Sequence, residues 1–293
     1  MPKCAFLTIK RTEGWFIDDN LVHQPLKDLG WEIENVPWDS PVKWDDYDVV
    51  VIRSTWDYQH RLEEFKLVLK QIDQSSAILL NDIKTVLWNV DKSYLLELEK
   101  KNVEIVPSVI SKNPTRNDVA DAFRKFGARE IIIKPTVSAN AYDTFRIPKS
   151  DIPESEWLAE KFDGRTCLIQ PFMESILNEG EFSLMYLNGE LAHTIIKSVK
   201  KGDYRVQEEH GGIVQLVEEP EKKLIKTGNN IMDVLDQIPF YARVDLVRTS
   251  QNTFALMELE LIEPSMYLRY CKPSAKRFAA LIEQRFKNVN NFD

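Results

Sequence analysis

The stretch YARVDLVRTSQNTFALMELELIEP, residues 241 to 264, decides how the rest of the chain is interpreted. It predicts two strands joined by a polar turn at Thr249–Asn252, because β-branched and apolar residues dominate on both sides. Side chains alternate between the two faces of a strand, so Glu258 and Glu260 point the same way. The flanking leucines and isoleucine favour a buried strand over the alternative, a solvated edge strand.

The first strand of this hairpin adds Arg243 and Asp245 to the same face when the turn closes at Ser250–Gln251. Three carboxylates on an otherwise apolar face repel one another and are costly to desolvate. A divalent cation removes that cost, and ligands that are all oxygens suit Mg²⁺ better than zinc. The sequence therefore predicts a magnesium site on Asp245, Glu258 and Glu260.

The composition is that of an ordinary globular protein of 293 residues with a net charge of −8. This length allows one large domain or two to three small ones. The negative charge disfavours nucleic acid as a partner. The chain has no apolar run long enough for a bilayer and no signal peptide, so we expect no membrane partner. Three widely spaced cysteines predict reduced thiols and a cytoplasmic location.

The first eighty residues alternate between predicted strands and helices, which is typical of a small α/β unit with a parallel sheet. The predicted strands are residues 4–9, 31–38, 47–58 and 78–81, and the helices are residues 18–29 and 61–72. Ligands gather at the carboxyl ends of such strands.

Polar residues follow the third of these strands. Arg53, Ser54, Thr55 and Asp57 fall in one short turn there. One interpretation is a substrate site, with Arg53 as a planar fork for a carboxylate. The other is a structural loop held by an arginine–aspartate ion pair.

The middle of the chain contains a lysine in an unusual position. The apolar run Glu130–Pro135 predicts a buried strand, and Lys134 is the one cationic residue in it. A buried lysine needs an anionic partner. The loop TVSANAYDT follows, and its small residues would let backbone N–H groups approach a phosphate.

The later elements are also marked by local patterns. Further predicted elements are a helix opened by Asp91, a strand at 103–110, a helix ended by Gly127, a strand at 166–173, a hairpin at Asn188–Gly189, and helices at 219–235 and 274–286. The charged, glycine-bounded segment Lys200–Gly212 predicts a lid.

Together these features resemble the ATP-grasp superfamily. The resemblance rests on four features: a lysine that ends an apolar strand, a lysine upstream at a helix start, a glutamate-bearing hairpin, and the Arg/Asp/Glu/Glu strand pair. The branch with glutathione synthetases, ribosomal S6 glutamate ligases and cycloserine-forming cyclo-ligases is the most similar. IRSTWDY, GDYRVQEEHGG and MELELIEP look particularly like the cyclo-ligases.

The resemblance implies an ATP site. Lys92 and Lys134 match the lysines on the α- and β-phosphates, and Ser138 opens the phosphate loop, which lacks the glycines of many relatives. Gln170-Pro171-Phe172-Met173 matches the hinge that contacts adenine, and Glu181 matches the acid on the ribose hydroxyls.

The resemblance also implies catalytic and metal residues. Arg243 matches the arginine near the transferred phosphoryl group, and Arg205 matches a residue of the loop that closes over the acyl phosphate, where it would also hold a substrate carboxylate. Asp245, Glu258 and Glu260 match the ligands of two Mg²⁺ ions, with Mn²⁺ as an alternative. Glu263 is close enough in sequence to join these ligands, but the sequence does not define which face its side chain occupies.

The implied fold is α/β (α+β), with a substrate domain at 1–83, a central lid subdomain at 84–170 and a metal-bearing subdomain at 171–293. The implied activity is ATP-dependent ligation of a small-molecule carboxylate and an amine through an acyl phosphate. A small-molecule kinase and a non-catalytic nucleotide-binding module stay open as alternatives. Family habit suggests a homodimer or homotetramer.

Overall fold

The computed structural model of the protein describes residues 1–200 and 202–290. In this part of the chain, three sheets follow one another in sequence and helices cover them. This confirms the predicted mixed α/β class. Among the described residues, no helix has both the length and the apolar character needed to cross a bilayer.

The first sheet is parallel, as the alternation of elements predicts, with strand order β2-β1-β3-β4. Its elements are β1 (Lys3–Thr8), α1 (Asn20–Asp28), β2 (Glu32–Pro37), β3 (Val49–Ser54), α2 (Leu62–Asp73) and β4 (Ile78–Leu80). All six residues of β3 are buried, because helices and neighbouring layers cover both faces of a central parallel strand.

The second sheet is antiparallel, with strand order β5-β8-β6-β7. Its elements are β5 (Val109–Lys112), α5 (Arg116–Phe126), β6 (Glu130–Pro135), β7 (Phe145–Pro148), α6 (Ser155–Phe162) and β8 (Thr166–Pro171). The helix α5 begins with a capping box between Thr115 and Asp118 and ends at Gly127 in the left-handed conformation. The pattern did not predict β7 and α6.

The third sheet is also antiparallel, with strand order β11-β10-β9-β12-β13. Its elements are α7 (Ser175–Asn178), β9 (Glu181–Leu187), β10 (Glu190–Ser198), β11 (Ile213–Leu216), α8 (Lys222–Asp233), β12 (Tyr241–Arg248) and β13 (Phe254–Glu260). Asn188 and Gly189 turn the β9–β10 hairpin with φ of 50° and 80°, which confirms the turn prediction.

Three helices tie the sheets together: α3 (Ile83–Asn89), α4 (Tyr94–Lys100) and α9 (Lys272–Asn290). The prediction that Asp91 caps a helix is wrong, because α4 begins at Tyr94 and the Asp91 carboxylate accepts hydrogen bonds from the Ser93 amide and the Thr136 hydroxyl. The predicted strand at 103–110 is reduced to β5 and one isolated bridge from Ile105 to Leu256.

Two hydrophobic cores cross between sheets. Residues of α1, β1, β9 and α9 share one core, and residues of α4, β9, β12 and β13 share another. The third sheet is thus packed against the first sheet on one face and α4 on the other. The predicted division at residues 83 and 170 stays a prediction.

Candidate active site

A cavity is lined by residues of the second and third sheets and by residues of the helices and loops around them, including the segments that follow β1 and β3. The structure brings most of the predicted site residues to its wall. They are Lys92, Lys134, Ser138, Gln170, Pro171, Phe172, Met173, Glu181, Arg205, Arg243, Asp245, Glu258 and Glu260.

The β12–β13 hairpin supplies the acidic wall of the cavity. Asp245 lies opposite Glu258 and Arg243 lies opposite Glu260, so all four side chains share one face, as strand alternation predicts. The Arg243 guanidinium donates to Asp245 at 2.9–3.1 Å and also to Glu260. One buried arginine therefore neutralises parts of two carboxylates.

The acids on this wall differ in how well they are neutralised. Burial would raise the pKa of Asp245, but Arg243 and Lys197 outweigh it and lower the pKa to about 2. Burial also raises the pKa of Glu258, but Lys92 and Lys134 together have the larger effect and lower it. At Glu260 burial prevails over Arg243, and the pKa rises to about 7.

Two lysines face these acids from the other side of the cavity. Lys92 Nζ lies 3.1 Å from Glu258 Oε1 and donates to the Ser138 carbonyl at 2.6 Å. Lys134 Nζ lies 3.9 Å from Glu258 Oε2, and burial lowers the pKa of Lys134. Glu258 is therefore the anionic partner that the buried position of Lys134 required.

The predicted phosphate loop, residues 136–144, contains no glycine, but some of its residues adopt the left-handed backbone conformation. Asn140 and Ala141 adopt φ of 53° and 55°, in the left-handed region that asparagine tolerates and alanine enters only at a cost of roughly 1–2 kcal/mol. Both line the cavity next to Ser138. The backbone thus takes a glycine-like course without a glycine.

Lys197 on β10 is a site residue that the strand patterns of the sequence did not mark. This side chain is 3% exposed, lines the cavity, and forms ion pairs with Glu181 and with Asp245, the latter at 3.4 Å. Burial raises the pKa of Glu181 even with Lys197 beside it. A lone cation after the apolar run Ile195–Ile196 was the available signal, and it is the same signal that marked Lys134.

Another part of the cavity wall is apolar, and we call it the apolar slot. Val106, Ile132, Ile176, Phe172 and Met257 line it at the carboxyl end of β8. Arg146 stacks over the Phe172 ring at 3.8 Å and fixes its plane. Such an apolar slot with backbone groups at its edge can accept a flat ring.

The predicted substrate residues at the end of β3 are not part of this cavity wall. Arg53 is 2% exposed, and its guanidinium donates to Asp19 Oδ1 and to the Pro264 carbonyl, both at 2.9 Å. Ser54 donates to the same Asp19 carboxylate. The geometry matches the alternative interpretation of a structural ion pair, and the assignment of Arg53 to a substrate carboxylate stays a prediction.

Thr55 and Asp57, from the same predicted substrate turn, also do not line the cavity. Thr55 is fully buried, and Asp57 accepts hydrogen bonds from Trp38 and Arg61. Trp56 and Tyr58 from the same turn do line the cavity. The turn thus contributes aromatic rings to the site and not the predicted polar groups.

Residues 204–209 of the predicted lid Lys200–Gly212 line the cavity, and Lys201 is outside the described residues. The Tyr204 hydroxyl donates to the Thr144 carbonyl at 2.9 Å, and Arg205 is held by Asp203 at 2.8 Å. Glu208 pairs with Arg269, which also pairs with Asp18. These contacts join the segment to the phosphate-loop candidate and to the N-terminal region.

The oxygen donors of the acidic wall suit a metal ion, but the described side chains do not form a preassembled metal site. In residues 1–200 and 202–290, no three His, Cys, Asp or Glu side chains converge as a ready metal site, so the predicted three-carboxylate set is not assembled here. The oxygen-only donors still suit Mg²⁺, which proteins commonly bind through one or two carboxylates plus substrate phosphates.

Comparisons with known proteins agree on one fold. Residues 4–81 match the family described as the N-terminal domain of D-cycloserine synthetase DcsG. The chain is 27% identical over 278 residues to the cycloserine biosynthesis protein DcsG of Streptomyces lavendulae. The aligned region covers 90% of this chain and 92% of that protein.

Solved structures extend this likeness. The crystal structure of D-cycloserine synthetase DcsG matches with a TM-score of 0.86 at 24% identity, over 97% of this chain and 99% of that one. The D-alanine–D-alanine ligase of Bacillus anthracis matches with a TM-score of 0.66 at 14% identity, over 99% of both chains. The RimK-domain ATP-grasp protein of Sphaerobacter thermophilus matches with a TM-score of 0.68 at 13% identity, over 95% and 97%.

Proposed function

We propose that this chain, an ATP-grasp ligase related in sequence to DcsG, joins a small-molecule carboxylate to an amine in a reaction driven by Mg-ATP. The observation that carries the proposal is the layout of one cavity, which combines an apolar slot with a wall of buried lysines, arginine and carboxylates. An adenine ring needs the first, and a polyphosphate with its metal needs the second.

In this proposal the nucleotide occupies the cavity between the second and third sheets. The adenine ring lies in the slot beside Gln170–Met173, and Glu181 accepts from the ribose hydroxyls. Lys92 and Lys134 contact the α- and β-phosphates beside the loop at Ser138. Support comes from the convergence of these side chains on one cavity and from the two buried cations that share one carboxylate.

The proposed chemistry has two steps. A carboxylate oxygen of the substrate attacks the γ-phosphorus, the bond to the ADP oxygen breaks, and an acyl phosphate forms. The amine then attacks the acyl carbon, loses a proton, and displaces inorganic phosphate as the C–N bond forms. Arg243 and Lys134 stabilise the charge on the transferred group, and no protein nucleophile is required.

Magnesium belongs to this proposal. Asp245, Glu258 and Glu260 would hold two ions, for which Mn²⁺ can substitute, and these would neutralise the phosphate charge. The segment with Tyr204 and Arg205 excludes water from the acyl phosphate. A cytoplasmic location and a homodimeric or homotetrameric state stay predictions.

The experiment is ADP release from Mg-ATP with a panel of amino acids, dipeptides and O-ureidoserine-like compounds, with hydroxylamine as a trap. Substrate-dependent ADP with a hydroxamate product supports carboxylate activation and identifies the acyl donor. ADP with a stable phosphorylated product points to a kinase, and bound ATP without turnover across the panel points to a binding module. A cyclic product without added amine would show that the ligation is intramolecular.

A further inference from the structure

The end of β13 is held on its outer edge by two side chains. β13 is the last strand of the third sheet, so in the described part of the chain no strand lies beside this end. The Tyr94 hydroxyl donates to the Leu259 carbonyl and accepts from the Leu259 amide, both at 2.9 Å. The Asn89 side chain donates to the same carbonyl and accepts from the Leu261 amide, both at 2.8 Å. These side chains thus take the place of a neighbouring strand.

Both side chains are buried and come from the helices on either side of Lys92. Asn89 is the last residue of α3, and Tyr94 is the first residue of α4. Lys92 lies in the turn between these helices, where its backbone amide donates to the Thr136 carbonyl at 2.9 Å. The turn that carries Lys92 is therefore fastened to β13 on both sides of the lysine.

The part of β13 that is held in this way is also the part that carries two acids of the cavity. Glu258 directly precedes Leu259, and its Oε1 lies 3.1 Å from Lys92 Nζ. Glu260 lies between Leu259 and Leu261. Asparagine and tyrosine side chains have fewer rotatable bonds than lysine, so their hydrogen bonds allow less movement than the lysine–glutamate contact itself.

We propose that Asn89 and Tyr94 are positioning residues that fix the separation between Lys92 and the acidic wall. The inference rests on the proposed function, in which Lys92 contacts phosphate while Glu258 and Glu260 hold the metal ion bound to it. Asn89 and Tyr94 line the cavity, but their polar atoms already bond to the backbone of β13. They act through that backbone, because without these bonds its buried polar groups lose their partners and the strand end shifts.

The test is a double-mutant cycle on the affinity for Mg-ATP, measured by isothermal titration calorimetry. Tyr94→Phe removes only the hydroxyl, and Asn89→Leu replaces the amide by an apolar group of similar size. We expect each change to raise the dissociation constant for ATP about fivefold to thirtyfold. In chains that also carry Lys92→Gln, the same changes should alter it less than about twofold, because the lysine that they position is absent.

Tyr186→Phe is the matched control. It removes the hydroxyl of another buried tyrosine, which donates to Asn229 Oδ1 at 2.9 Å and belongs to a residue outside the cavity wall. This variant should lower the melting temperature about as much as Tyr94→Phe but leave the affinity for ATP unchanged. The comparison separates a positioning role from a general loss of stability.

Unchanged affinity for ATP in Tyr94→Phe, or equal losses with and without Lys92, would overturn the proposal. The cycle with Tyr94→Phe decides even when Asn89→Leu does not fold. Hydroxamate formation by the wild type with unchanged ATP affinity in Tyr94→Phe refutes the positioning role alone. The expected cycle without hydroxamate formation across the panel refutes the ligase function alone, and a wild type that does not bind ATP refutes both.

Discussion

Lys197 and Asp245 stand on strands that are not neighbours, yet Lys197 Nζ lies 3.4 Å from Asp245 Oδ1. The lysine on β10 reaches across β9 to β12, and on the way it pairs with Glu181. Ser183 of β9 donates to the same Asp245 carboxylate. The candidate ribose acid and a candidate metal ligand thus share one buried cation.

Replacing this cation should destabilise the protein. Lys197→Met leaves Glu181 and Asp245 buried with less countercharge, so we expect the free energy of unfolding to fall by about 3–5 kcal/mol. Urea denaturation monitored by circular dichroism measures it. The matched control is Lys43→Met, which removes an exposed pair with Asp46 and should cost at most about 1 kcal/mol. Similar losses in both variants would show that Lys197 has no special role.

Removing the lysine at the end of β6 should weaken nucleotide binding. In Lys134→Gln the dissociation constant for ATP, measured by isothermal titration calorimetry, should rise about tenfold to a hundredfold, because a charge-assisted contact to phosphate is lost. Lys125→Gln removes an exposed lysine of α5 and should bind ATP like the wild type. Unchanged affinity in Lys134→Gln would contradict the proposed phosphate contact.

The acidic wall should show its metal dependence at Glu260. Since the pKa of Glu260 is raised to about 7, this side chain is already partly protonated at neutral pH, and Glu260→Gln should change the melting temperature little. The magnesium concentration for half-maximal ADP release should nevertheless rise, because a carboxylate ligand is lost. Glu99→Gln on the exposed face of α4 is the control. A variant with an unchanged magnesium requirement would exclude Glu260 as a ligand.

The sequence predicted the β12–β13 wall because strand alternation and the turn position together define which side chains share a face. The same rule could not assign Glu263, since the chain leaves the sheet after Glu260 and the two-residue period ends there. Glu263 nevertheless proves to line the cavity. Local pattern is thus informative only as far as the regular element continues.

Arg53 shows a second limit. Its position at the end of a parallel strand suggested a ligand, but its partners are Asp19, from the loop before α1, and the carbonyl of Pro264, 211 residues away. Neither contact leaves a local signal in the sequence. Whether a buried arginine pairs internally or faces a cavity is decided by such long-range packing.

Stability should depend on pH through His193, which is buried and lies 2.9 Å from the Ser274 hydroxyl. Burial lowers the pKa of His193 from 6.5 to about 4, so the unfolded chain binds more protons between these two pH values. The contribution of neutral His193 to the free energy of unfolding is fully present above pH 6.5. This contribution falls by about 3 kcal/mol as the pH drops to 4.

The check is urea denaturation of wild type and His193→Gln between pH 4 and 7. The wild type should lose stability toward acid more steeply than the variant. His60→Gln, which replaces an exposed ring, should follow the wild-type curve. Parallel curves for wild type and His193→Gln would refute the prediction.

The acyl phosphate is the central claim, and oxygen transfer tests it most directly. The acid that the hydroxylamine assay selects would be labelled with ¹⁸O in its carboxylate and converted with Mg-ATP and its amine. Formation of an acyl phosphate carries one carboxylate oxygen into the released phosphate, so mass spectrometry should find one ¹⁸O per inorganic phosphate. Unlabelled phosphate, with both ¹⁸O atoms still in the organic acid or its product, would contradict carboxylate activation by this protein.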